Sequence, residues 1–70
     1  MAKTTYADYA VYAKLRDEKK YTDYFVAQSA DVSTVTLTSW KQGVYTPKVD
    51  KLARIAKVLE VPLDALLTTV

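Results

Sequence analysis

Apolar positions recur along this chain at three- and four-residue spacing, in short runs each closed by a polar or turn-forming residue. That is the pattern of short amphipathic helices, not of alternating strands. A first helix is predicted from about Tyr6 to Lys19, with Val11, Tyr12 and Leu15 on one face and Lys19 and Lys20 at an end that favours positive charge. Thr22 has the hydroxyl of an N-cap, Asp23 suits the first turn of a second helix, and Val26, Ala27 and Ala30 form its inward stripe. The chain must then turn at Asp31, a residue type that tolerates left-handed backbone. Ser33 repeats the capping signal, Leu37 and Trp40 point a third helix inward, and Gly43 stops it. After a loop at Val44 and Tyr45, Thr46 and Pro47 have the form of an N-cap and a first-position proline. The fourth helix places Val49, Leu52, Ala53, Ile55, Ala56 and Leu59 inward and Lys51, Arg54 and Lys57 in solvent. Pro62 opens a short fifth helix carrying Leu63, Leu66 and Leu67. The expectation is an all-α, five-helix fold, a single domain over residues 1–70.

Composition narrows the chemistry. There is no Cys and no His, which removes disulfides, thiolate chemistry and the commonest metal ligand and general base. Paired carboxylates, a nucleophile beside a base and a glycine-rich phosphate loop are all missing at workable spacing, so no cofactor, no metal and no catalysis are expected. Lys3 is followed by Thr4, Thr5, Tyr6 and Asp8, not by an apolar run, and no stretch approaches the roughly 20 apolar residues of a membrane span. A cytoplasmic location is the expectation. A net charge of +2 says little by itself, but its distribution says more. From Val32 through Val49 there is no acidic residue, while Lys41 and Lys48 lie within that segment, which leaves it open to a polyanion.

The constellation YTDYFVAQSADVSTVTLTSWKQG joins two capped short helices through a turn, with a motif at about residues 22–43. Ala27 allows a close helix crossing, and Val32, Leu37 and Trp40 supply an apolar clamp. With Thr22, Ala27, Val32, Ser33, Leu37, Trp40 and Gly43 at their spacing, the chain resembles the Cro and lambda-repressor-like helix-turn-helix family. The resemblance continues through YTPKVDKLARIAKVLEVPLDALL, where that family has its fourth and fifth helices. It implies a sequence-specific DNA-binding regulator, of the repressor kind that a phage or other mobile element encodes, with the third helix in the major groove. Carried over by position, Thr34, Val35, Thr38 and Ser39 face bases, and Ser33, Thr36, Lys41, Tyr45 and Lys48 face phosphates. Val and Thr suit thymine methyl groups, and no Arg, Asn or Gln is assigned to this face for two-pronged readout. Such domains pair on half-sites about one helical turn apart, and Leu66, Leu67 and Val70 are candidate homodimer contacts.

The chain also departs from the family pattern. Asp23 stands where many relatives have a Gln that touches phosphate, and its charge would repel one. Lys41 follows Trp40 where an acidic residue often pairs with the first-helix Arg, so Arg16 needs another partner or faces DNA. Asp31 and Glu60 occupy turn positions that favour Gly, at about 1 kcal/mol if left-handed. Tyr24 and Phe25 replace polar residues; packing under Tyr6 and Tyr9 is weighed slightly ahead of a partner surface. The alternative function is a protein-interaction module on the same fold, antirepressor- or antitoxin-like, with weak or no DNA binding.

Overall fold

A computed structural model describes residues 5–69 of the chain. The order is β1 (Thr5–Ala7), α1 (Tyr9–Glu18), α2 (Asp23–Ala30), α3 (Thr34–Lys41), α4 (Val49–Val58), a 3-10 turn (Leu63–Leu66) and β2 (Leu67–Thr69). The helices wrap one apolar core in which Tyr12, Val26, Leu37, Ile55, Leu59 and Leu66 are completely buried. Among the described residues no helix is long and apolar enough to cross a membrane.

Two expectations change at the chain ends. The first helix begins at Tyr9, not Tyr6, because Asp8 is its true cap and accepts a hydrogen bond from the Ala10 amide at 3.0 Å. The residues before it form β1, antiparallel to β2, with Thr5 opposite Thr69, Tyr6 opposite Thr68 and Ala7 opposite Leu67. The fold is therefore mostly helical with a two-stranded clasp. The expected fifth helix is the single 3-10 turn: one turn is enough to bury Leu66, after which the backbone extends to pair with β1. Leu66 is spent inside this chain and has no area to offer a second copy. Leu67 is half-buried in the clasp, and Val70 lies outside the described residues.

The fourth helix also starts later. Its N-cap is Lys48, which makes no side-chain capping bond, while Pro47 is buried in the preceding loop instead of opening the helix. Thr46 is consequently no cap. Leu52, Ile55, Ala56 and Leu59 face inward as expected, but Val49 and Ala53 are exposed, because the buried stripe is narrower than the apolar sequence pattern.

Three helices stop at residues other than glycine in left-handed backbone: Lys20 (φ 60°), Asp31 (φ 56°) and Glu60 (φ 59°). An L side chain in that region meets its own following carbonyl, at about 1 kcal/mol. Lys20→Gly and Glu60→Gly should each stabilise the fold by up to about 1 kcal/mol, raising the melting temperature by about 4–8 °C in a chain this small. Glu60→Gly also removes an ion pair with Lys19, but at 3.7 Å on the surface that pair is worth little. Thermal melts followed by circular dichroism test this; unchanged or lowered midpoints would show that these positions carry no strain.

Candidate nucleic-acid interface

The two motif helices are set by local chemistry. Thr22, in extended backbone, accepts from the Phe25 amide at 3.1 Å and so satisfies one of the orphan donors of α2. Asp31 ends α2 in left-handed conformation, where the Asp31 and Val32 amides bond back to Gln28 and Ala27 carbonyls. Ser33 then caps α3 by accepting from the Val35 amide at 3.1 Å. Arg54, expected in solvent, leans over this turn: its guanidinium lies 3.4 Å from the Asp31 carbonyl, 3.8 Å from the Asp31 carboxylate and 3.4 Å from Asp50. Asp31 and Asp50 are the two acids that bracket the acid-free segment, and Arg54 lies between them.

With Leu37 and Trp40 buried, the opposite side of α3 is open. Thr34, Val35 and Thr38 are exposed there, Val35 by 68%, and Ser39 is half-buried. The Thr38 hydroxyl donates to the Thr34 carbonyl at 3.1 Å, so its proton is spent within the helix. Of the residues expected at phosphates, Ser33, Lys41, Tyr45 and Lys48 are exposed and Thr36 is half-buried. Ser33 uses its oxygen as the cap acceptor and keeps its proton to donate. Gly43 takes a φ of 75°, letting the Val44 and Tyr45 amides fold back on the Ser39 carbonyl and bring that loop against the end of α3.

The departures at Asp23 and Arg16 resolve each other. Arg16 Nη1 donates to Asp23 Oδ1 at 2.7 Å, and the Tyr12 and Tyr9 hydroxyls donate to the same carboxylate at 2.8 and 3.0 Å. Burial pushes the Asp23 carboxyl up, but these bonds from Arg16, Tyr12 and Tyr9 outweigh it and hold the group below the usual carboxylate range. Burial, and then the bond to Asp23, push the Tyr12 phenol well up against the opposing charge of Arg16, and the Asp23 bond raises the Arg16 guanidinium. Asp23 is thus a partnered charge, which lessens the expected repulsion of phosphate, with Arg16 shared between it and Asp17. Above the ion pair the Tyr12 and Trp40 rings lie 5.2 Å apart, and Tyr9 meets Trp40 edge-on at 5.5 Å. This fixes α3 to α1 through its only tryptophan.

Tyr24 and Phe25 do not pack under Tyr6 and Tyr9, because Tyr9 is committed to Tyr12 and Trp40. Phe25 stacks on Tyr21 with ring centres 4.6 Å apart, and Tyr24, 62% exposed, accepts from the Gln28 amide at 2.8 Å. Sequence reasoning gives Arg16, Asp23 and Arg54 no structural partners; the signal available is only that cations and acids flank the motif on both sides.

A helix-turn-helix family model matches residues 13–66. Among solved structures the chain is similar to one from a SinR protein/SinI protein complex, at 25% identity and a TM-score of 0.76, over 83% of this chain and 57% of that one. A Bacteroides fragilis protein matches at 22% identity and a TM-score of 0.73, over 93% of this chain and 100% of the other. A transcriptional regulator from Listeria innocua matches at 24% identity and a TM-score of 0.69, over 87% of this chain and 58% of that one. The chain thus spans a little over half the length of the first of these. Comparison with curated proteins finds no match.

Replacing Asp23 with Asn keeps its shape and removes the ion pair, and should destabilise the fold by about 2 kcal/mol near neutral pH. Because its carboxyl is depressed in the folded state, Asp23 contributes fully above the unfolded Asp value of about 4, and that contribution disappears as pH falls through the lower native value. Urea titrations from about pH 7 down to about pH 2.5 should therefore show a shallower acid decline for Asp23→Asn than for wild type. Parallel declines would remove Asp23 from the acid sensitivity of the fold.

Proposed function

The chain belongs to the helix-turn-helix family, and from that membership we propose that it is a sequence-specific DNA-binding transcription regulator that lays α3 in the major groove. Its exposed α3 face carries the reading, an uncharged strip of Thr34, Val35, Thr38 and Ser39 presented away from Leu37 and Trp40. Ser33, Thr36, Lys41, Tyr45 and Lys48 flank that strip and hold phosphates. The pairing of Asp23 with Arg16 supports the same reading, since it leaves that carboxylate partnered near the start of α2, and Arg54 lies close to Asp31 and Asp50. The role is that of a repressor of phage or mobile-element type, acting as a homodimer on paired half-sites, with Leu67 and Val70 as the remaining contact candidates.

A second reading rests on Tyr24 and Phe25, exposed by 62% and 45% on the outer side of α2. Aromatic side chains left open in this way suit a protein partner. One similar chain comes from a complex of two proteins, which supports a partner here as well. Loss of a partner on Tyr24→Glu or Phe25→Glu, with DNA binding intact, marks that surface as separate from α3.

Fluorescence anisotropy against random duplex at low salt, then against selected sites, tests the main reading. With Lys41 and Lys48 as the charged phosphate contacts of each subunit, the slope of log affinity against log salt should be about −2 for one subunit and about −4 for the homodimer on paired half-sites. Val35→Asp and Ser39→Asp should each weaken binding at least about tenfold by setting a carboxylate against the groove. Wild-type affinity in both variants, or no duplex bound at low salt, overturns the proposal.

A further inference from the structure

A planar side chain that can grip a base edge with two parallel hydrogen bonds is the strongest carrier of sequence information in a major groove. This chain has four of the kind, Arg16, Arg54, Gln28 and Gln42, and no Asn. Three are already occupied. Arg16 is held by Asp23, Asp17 and Tyr9, Arg54 by Asp31 and Asp50, and the Gln28 amide by the Tyr24 hydroxyl. Gln42 is exposed, and its amide has no partner among the described residues.

Its position is as informative as its freedom. Gln42 is the C-cap of α3 and keeps right-handed helical backbone, so the helical period carries through to it. At about 100° per residue, Gln42 projects within about 20° of Val35, with Thr38 and Ser39 on either side. Leu37 and Trp40, both buried, fall on the far side. Val35 and Gln42 are therefore the two most outward positions of the helix. They are separated by about 10 Å along its axis, close to three base-pair steps. An eight-residue helix is about 12 Å long, and laid lengthwise along the groove it keeps both ends over base edges.

We propose that Gln42 is a specificity-determining residue that reads an adenine in the major groove, about three base pairs from the pair beneath Val35. The Gln42 amide nitrogen donates to adenine N7 and its carbonyl accepts from the adenine amino group. Val35 lies against a thymine methyl, so the pairs beneath both residues are A·T. This rests on the DNA-binding reading above, and deepens it from a face to a base.

The test starts from a duplex selected with the full chain, carrying single base-pair changes, and compares wild type, Gln42→Ala and Gln42→Arg by anisotropy. Wild type should lose about tenfold in affinity when one A·T pair is changed to G·C, and a similar amount when that adenine is replaced by 7-deazaadenine. Gln42→Ala should lose the preference at that position and keep the others; Gln42→Arg should move it toward guanine. A uniform loss across all sequences for Gln42→Ala makes the residue a backbone contact and overturns the inference, as does an unchanged preference. If no duplex is bound by wild type at low salt, the DNA-binding reading fails and takes this one with it. Thermal melts of the variants should match wild type, since Gln42 is exposed.

Discussion

Asp23 sits where three elements meet, and the placement of the motif depends on how its charge is settled. The carboxylate lies in the first turn of α2, where the helix dipole favours it, but it is partly withdrawn from water. Its remaining partners all come from α1: Arg16 at 2.7 Å and the hydroxyls of Tyr12 and Tyr9. The rings that deliver those hydroxyls are also the ones that clasp Trp40 of α3. A half-buried charge left without partners is costly, so α1 cannot shift without orphaning Asp23, and α3 cannot shift without opening the Tyr–Trp contacts. The arrangement selects one relative orientation of three helices. It does so with directional groups, where apolar packing alone tolerates small slips.

What can be read from the sequence follows from the range over which each interaction acts. Thr22, Ser33 and Asp31 are satisfied by backbone groups two or three residues away, so caps and turn are legible from residue type and spacing. Leu37, Trp40 and the open face opposite them follow from helical period. Arg16 and Asp23 are seven residues apart on different helices, and no local rule joins them; each looks like a departure when considered singly. The terminal strands are hidden because three-residue segments are too short to show alternation, and their pairing partner is at the other end of the chain. In α4 the apolar pattern is broader than the buried stripe, so it assigns Val49 and Ala53 to a core they do not reach. Gln42 is masked by its place at the helix exit, although the same period that reveals Val35 puts it on the same line.

The distribution of cations has a chemical meaning as well. Both guanidinium groups, the side chains best suited to directional recognition, lie against carboxylates of this chain. The charges left on and beside α3 are ammonium groups of Lys41 and Lys48, compact and weakly directional. Under the DNA-binding reading proposed above, attraction to a polyanion falls to lysines at the rim and discrimination among sequences to neutral side chains at the centre.

The β1–β2 clasp sets how the domain responds to force. Thr5 and Thr69 face each other across the clasp and their hydroxyls lie 3.1 Å apart, so the chain enters and leaves the fold at one point. Tension applied through any polypeptide joined at both ends meets this ribbon first, and meets it in the direction that opens its rungs one after another instead of shearing them together. Beyond it, the chain is anchored by the buried Leu66 on one side and the Asp8-capped start of α1 on the other. The ribbon is therefore the first element to part under such a pull, ahead of the helices.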